Sequence, residues 1–342
     1  MPARKRIALI APNWLGDAVM SLPLAGMLHA AGARVSVLAP PYVARVYTGI
    51  ADVDELIVDV AGGRARRIIA RVRALDASSP HAAVICPPSF SAAVTALLGT
   101  VSIRVGYAGD ARSPLLTDAL PAAGTRLEHL SLNYRRIGER ALKRIGSAVP
   151  APWTDPALWV GQDDRTEAES ALRTAGVTGG AYAVVVPGAT YGTAKTWPAD
   201  RFERLCRELA EDVPVVLTGA RRERDLCDRV AAGRAGVYNL AGETSLGGFF
   251  GLLAGARVVV ANDSGTPHAA AALGTPTVVL FGSTSPAWTA PLGARVDVVQ
   301  HRVPCNPCFL RKCPTQLECF GGIEPGSVYQ MACRAMEAAA SL

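Results

Sequence analysis

Three short polar stretches of this 342-residue chain carry residue types suited to group transfer. The first, Asn13-Trp14-Leu15-Gly16-Asp17, puts a carboxylate where an apolar run gives way to a helical pattern. A carboxylate with an ordinary pKa near about 4 is ionised at neutral pH and takes a proton from a hydroxyl positioned beside it. The second runs from Pro187-Gly188-Ala189-Thr190-Tyr191-Gly192 through Thr193-Ala194-Lys195-Thr196-Trp197-Pro198 and combines the hydroxyls of Thr190 and Thr193 with a cation at Lys195, a short anion cradle. It is not a P-loop, because the positions one and six before the lysine, which that motif reserves for glycine, are Ala194 and Ala189. The third, Asn262-Asp263-Ser264-Gly265-Thr266-Pro267-His268, separates a β-branched run from a short helical pattern. Ser264 and Gly265 then offer helix N-terminal amides to an anion, with Asp263 and His268 beside them. Each stretch also has a plainer reading: Asp17, Asp263 and Ser264 as helix caps contributing about 1 kcal/mol, Lys195 as a solvated loop lysine and His268 as a satisfied surface histidine.

The elements that must position these groups follow from periodicity and breakers. Residues 257–261 and 277–281 read as buried strands, with a helix over 267–273 that Gly274 closes, together a βαβ unit of a parallel sheet. Ligands bind such sheets at the carboxyl ends of strands, where Asp263, Ser264, Gly265 and His268 fall. In the first half, strands are expected at 7–11, 34–39, 55–58, 82–86 and 102–107. Helices are expected from a start between Asp17 and Ser21 through Leu28, then over 64–75, 89–98 and 129–145, while 114–125 reads as loop. Pro23 leaves the start of the first helix open. Residues 149–156 hold three prolines and read as a semi-rigid linker. Beyond it come helices over 163–175, 199–211, 221–230 and 246–253, strands over 181–186, 213–218 and 296–300, and a final helix from Pro325. Both halves open as strand, polar loop, helix, strand. The expectation is an α/β protein with two doubly wound Rossmann-like domains, 1–155 and 156–325, and a last helix, 326–342, reaching back to the first.

Composition narrows the function classes. Half the residues are apolar and 19% are charged, a globular balance. Apolar stretches are interrupted well short of the roughly twenty residues that span a bilayer, and the N-terminal run is too short for a signal peptide. The formal charge of +6 favours anionic partners, but with 6% aromatic residues and no basic block interleaved with them nucleic acid is not expected. Arg64, Arg66, Arg67, Arg71 and Arg73 form one basic helix face, and Arg135, Arg136, Lys143 and Arg144 sit on another. Eight cysteines without a secretory signal point to a reducing, cytoplasmic setting. Cys305, Cys308, Cys313 and Cys319 are separated by 2, 4 and 5 residues, compact enough for zinc but matching no familiar finger; reduced loop thiols are the simpler reading.

Taken together, the stretches 13–20, 187–192 with 195–198, 262–268 and Phe281-Gly282-Ser283-Thr284-Ser285-Pro286 resemble the ADP-heptose:lipopolysaccharide heptosyltransferases, glycosyltransferase family 9. The Trp14-Leu15-Gly16-Asp17 stretch and the cysteine tail resemble the heptosyltransferase II branch more than the first. The resemblance implies a GT-B fold, two Rossmann-like domains facing a central cleft, the first for a lipid A-linked inner-core acceptor and the second for the nucleotide sugar. It implies inverting transfer of heptose from ADP-L-glycero-β-D-manno-heptose to the first heptose of the inner core, with no cofactor and no metal. The enzyme would work in the cytoplasm, in peripheral contact with the inner membrane. Carried onto this chain, Asp17 is the base and Lys195 holds the donor phosphates. Thr190, Tyr191, Asp263, Ser264, Gly265 and His268 bind donor, and Thr244 lies near the adenine. Arg221 stands where relatives place an acidic residue on the ribose, so Glu223 is expected to make that contact. The alternatives are the first heptosyltransferase branch, another GT-B transferase using a different nucleotide sugar, and a non-catalytic ADP-sugar-binding protein.

Overall fold

In a computed structural model the chain divides into two units, Met1–Trp159 and Val160–Leu342. The structure describes residues 4–60, 62–121, 126–150 and 152–340. Readings placed on residues 1–3, 61, 122–125, 151 and 341–342, among them the end of the expected 114–125 loop, lie outside the described residues.

The first unit is built on a six-stranded parallel sheet of β1 (Arg6–Ile10), β2 (Arg34–Ala39), β3 (Glu55–Val58), β4 (Ala82–Ile85), β5 (Ile103–Tyr107) and β6 (Asp118–Leu120). Their order is β3-β2-β1-β4-β5-β6. The second unit repeats the plan with β7 (Ala183–Val186), β8 (Val215–Leu217), β9 (Val237–Asn239), β10 (Val258–Asn262), β11 (Thr277–Phe281) and β12 (Val296–Gln300), in the order β12-β11-β10-β7-β8-β9. The central strands are apolar without alternation: Ile7 to Ile10 and Val258 to Ala261 are fully buried. That is the signature of a sheet covered on both faces by helices, and each buried Val, Leu or Ile side chain among them contributes roughly 1.5–3 kcal/mol.

Strand order reverses between β1 and β4 in one sheet and between β7 and β10 in the other. Ile10 pairs with Ile85 and Val186 with Ala261, so the segments after these strands leave each sheet side by side at its switch point. The polar stretches singled out in the sequence begin at these places.

Departures from the sequence expectation have local causes. The first helix starts at Leu15, earlier than expected, and breaks at Ser21 into Leu15–Met20 and Leu22–Ala30. Pro23 sits in the first turn of the second helix, where its missing N–H costs nothing. The stretch expected as loop from 114 holds instead the 3-10 turn Ser113–Leu115 and edge strand β6. Trp159, just past the proline-rich stretch, folds onto the first unit: its ring occupies the space over Gly49, where a Cβ would lie 2.3 Å from it, and Arg45 lies 5.3 Å from its centroid. The division between units therefore follows Trp159. The last helix, Pro325–Ala340, packs on the helix Ala199–Leu209 and on β10 and β11 of the second unit. No described helix is long and apolar enough to cross a membrane.

Candidate active site

In the first unit Asp17 is the third residue of the helix Leu15–Met20. The cap position is Trp14, whose side chain makes no cap bond, so Asp17 is a first-turn carboxylate and not the cap of the plainer reading. The Tyr134 phenol, from the helix Ser131–Arg144, donates to its carboxylate. Burial first, and then the charge of Asp17, hold that phenol well above its ordinary pKa, so it stays protonated and keeps donating. Tyr47 and Cys86 line the same buried wall and are pushed up chiefly by desolvation, with Asp17 adding to it. The Tyr47 hydroxyl is 2.8 Å from Ser21 Oγ.

A hydrogen bond to a carboxylate favours its ionised form and fixes its direction. Tyr134→Phe is therefore expected to lower the rate roughly tenfold and to move the acid limb of the kcat/KM profile to higher pH, because the ionised base loses a donor. A pH–rate profile of the two proteins checks this; an unmoved acid limb would show that the phenol only packs.

In the second unit the loop after β7 and the turn after β10 meet through three bridges. Asn262 Nδ2 donates to the Pro187 carbonyl at 2.8 Å, and the Trp197 N–H donates to Asn262 Oδ1 at 3.0 Å. Between these ties, Lys195 Nζ lies 2.6 Å from Asp263 Oδ2, with side chains only 15% and 4% exposed. The Thr284 hydroxyl donates to the same carboxylate oxygen at 2.6 Å. The solvated-lysine reading of Lys195 is thereby replaced by a buried, oriented ion pair. Ser264 precedes the helix Gly265–Ala272 without capping it, and its Oγ is buried with no hydrogen-bond partner among the described residues. His268 is buried in that same helix, so it is not a surface histidine.

The remaining expected residues are more dispersed. Thr190 Oγ1 accepts from Arg222 Nη2 at 2.9 Å, and the exposed Tyr191 ring lies 5.3 Å from Lys195 Nζ. Glu223 accepts from the Ala220 N–H at 2.8 Å and fills the space between Gly188 and Gly219, where an added Cβ would meet its carboxylate at 2.3 and 2.7 Å. It thus ties two loops together. Thr244 lies in the turn before the helix Leu246–Gly255, between Glu243, which pairs with Arg224, and Ser245, whose N–H and hydroxyl donate to Glu167.

Sequence reasoning passed over Arg222, Thr284 and Arg311. The last donates from Nε to the Tyr191 carbonyl at 3.0 Å, although it lies in the cysteine-bearing segment far along the chain. Asn262 and Thr284 lay inside quoted motifs, which was the available signal. All eight cysteines are free, and among the described residues no group of three or more His, Cys, Asp or Glu is placed to hold a metal ion.

A carboxylate held by a neutral phenol in one unit, and a cation, amides and hydroxyls gathered at a strand end in the other, suit proton removal and anion binding. Comparison with known proteins fits this chemistry. The family model of glycosyltransferase family 9 (heptosyltransferase) matches residues 68–318. Lipopolysaccharide heptosyltransferase 2 of Salmonella typhimurium is 30% identical over 310 residues, 86% of this chain and 88% of that protein. Its Escherichia coli counterpart is 30% identical over 315 residues with the same coverage. The solved structure of Escherichia coli ADP-heptose lipopolysaccharide heptosyltransferase II, 26% identical, superposes with a TM-score of 0.81 over 97% of this chain and 99% of that one. The two parallel sheets with flanking helices are those of the GT-B fold. The chain belongs to glycosyltransferase family 9, the heptosyltransferases.

Proposed function

We propose that the protein transfers L-glycero-D-manno-heptose from its ADP donor to the first heptose of a lipid A-linked inner core, with inversion. The observation that carries the donor half is the Lys195–Asp263 pair, set at the carboxyl end of β10 beside the start of the helix Gly265–Ala272. The donor and the lipopolysaccharide acceptor come from the relatives, one of them an ADP-heptose lipopolysaccharide heptosyltransferase II.

In this reading the acceptor hydroxyl oxygen bonds to the anomeric carbon as that carbon's bond to the diphosphate oxygen breaks. The electron pair leaves on ADP, and the hydroxyl proton goes to the Asp17 carboxylate. Lys195, the Ser264 and Gly265 amides and the Thr190 hydroxyl hold the diphosphate, which is the stabilisation that a leaving anion needs. Tyr191 and His268 shape the donor site, and Thr244 stands near the adenine. Glu223 takes the ribose with the carboxylate oxygen that does not accept from Ala220. The work needs no metal, since fixed cations and helix amides supply the positive charge.

The test is release of ADP from ADP-heptose by the purified protein in the presence of acceptors carrying no heptose or one. Release that depends on the one-heptose acceptor supports the reading. Release on the heptose-free acceptor alone moves the assignment to the first branch, and no release with either overturns transfer to this core.

We further place the enzyme at the cytoplasmic face of the inner membrane as a peripheral protein. The support lies mainly in one helix, because in the other only Lys143 of the basic residues named is exposed with no acidic partner among the described residues. In Ser131–Arg144, Arg135, Arg136 and Arg144 pair with Glu139, Glu128 and Asp118, and in Arg64–Ser78 Arg71 pairs with Asp59, but Arg66, Arg67 and Arg73 stay exposed. Binding to anionic vesicles is expected to weaken several-fold as ionic strength rises from about 0.05 to about 0.5 M, and to be lost on changing these three arginines to glutamate. A sedimentation assay checks both, and salt-insensitive binding would refute it.

A further inference from the structure

Lys195 cannot stabilise a leaving diphosphate unaided, because its charge is already matched. Nζ sits 2.6 Å from Asp263 Oδ2, so the pair brings little net charge to a multiply anionic group. Uncompensated positive charge must come from another side chain beside this loop.

We propose that Arg311 is the second cation of the donor site and binds the diphosphate directly. This rests on the donor reading given above. Arg311 lies with its guanidinium carbon 5.2 Å from the Tyr191 ring centroid, and Lys195 Nζ lies 5.3 Å from the same centroid. Two cations sharing one ring repel each other unless an anion joins them. Unlike Lys195, Arg311 forms no ion pair among the described residues and is exposed. Its Nε is the nitrogen used internally, donating to the Tyr191 carbonyl, which leaves the two Nη groups to grip oxygens as a fork.

The position is built from both sides of the contact. The Ala194 N–H donates to the Arg311 carbonyl at 3.2 Å, and the Tyr191 hydroxyl donates to the Phe309 carbonyl at 3.1 Å. The Phe309 N–H donates in turn to the Ser283 carbonyl at 2.8 Å, next to the end of β11. Gly192 allows this approach: a Cβ there would lie 2.2 Å from the Arg311 carbonyl oxygen. Segment 309–311 is thus laced to the donor loop on one side and to the 281–284 motif on the other. As the bond from anomeric carbon to phosphate oxygen breaks and the electron pair moves onto the diphosphate, Arg311 meets the charge that the Lys195–Asp263 pair leaves unmatched.

The experiment uses the full chain and measures binding of ADP, AMP and adenosine by calorimetry to wild type, Arg311→Met and Arg311→Lys, together with acceptor-dependent ADP release. Arg311→Met is expected to weaken ADP binding by roughly 10- to 100-fold and adenosine binding by less than about twofold, with a matching fall in kcat/KM. Arg311→Lys should recover part of the ADP affinity. Unchanged ADP affinity in Arg311→Met overturns the proposal, as does equal loss of adenosine and ADP, which would mark Arg311 as loop packing only. Either result leaves acceptor-dependent release by the wild type standing. Absence of that release in the wild type overturns the underlying donor reading instead.

Discussion

Asp17→Asn is expected to lower the kcat of acceptor-dependent ADP release by roughly 10²–10⁴-fold, the span that a positioned general base contributes, while ADP affinity stays within about twofold. The asparagine keeps the size and the position in the helix Leu15–Met20 and still offers an oxygen to the Tyr134 phenol. What it lacks is a site for the acceptor's proton. Because Trp14 and not Asp17 holds the cap position, the substitution removes no cap, and stability should change by less than about 1 kcal/mol. Steady-state release with and without acceptor, beside a thermal melt, separates the two effects. A fully active Asp17→Asn protein would falsify its assignment as the base.

The second expectation concerns the Lys195–Asp263 pair. Removing one partner of a buried pair leaves the other charged and desolvated, at a cost of about 3–5 kcal/mol, so Lys195→Met should destabilise the second unit by that amount. For a unit of this size the melting temperature should fall by roughly 10 °C. ADP binding and transfer should be lost with it. Replacing both partners, Lys195→Met with Asp263→Leu, removes the orphaned charge, and stability should return to within about 1–2 kcal/mol of wild type. Activity should not return. Stability and function would thus part company in the double variant, which distinguishes a pair kept for donor binding from one kept for folding. Recovery of transfer in the double variant would show that the pair does not act on the donor. Thr284 donates to Asp263 Oδ2, and in the double variant its hydroxyl must find another acceptor, which sets the residual cost.

The strands legible in the sequence are those whose signal is local. β1, β2, β10 and β11 are unbroken apolar runs bounded by polar turns, and each lies within a residue of its expected place. β9, Val237–Asn239, was not foreseen: three residues at a sheet edge carry too short a pattern, and its pairing with β8 is a long-range matter. The short helix Glu318–Gly321 escaped for the same reason. At the donor site the sequence exposed the residues that stand on a strand-to-helix junction, Asp263 to His268, because a junction has a chemical signature of its own. It gave no hint of Arg311, whose partner Tyr191 lies 120 residues away. Nor could spacing tell that Lys195 would be paired, since that depends on two loops leaving neighbouring strands at Val186 and Asn262.

Trp197 ends the donor loop fully buried, and its indole Nε1 donates to the Ile323 carbonyl across 126 residues. Arg201 Nη1 donates to the same oxygen at 2.6 Å. During synthesis at about 5–20 residues per second, the loop therefore waits on the order of 10 s for its anchor to be made. Through that interval the indole lacks the acceptor for its Nε1, and the end of the donor loop cannot reach its final packing until residue 323 has been made.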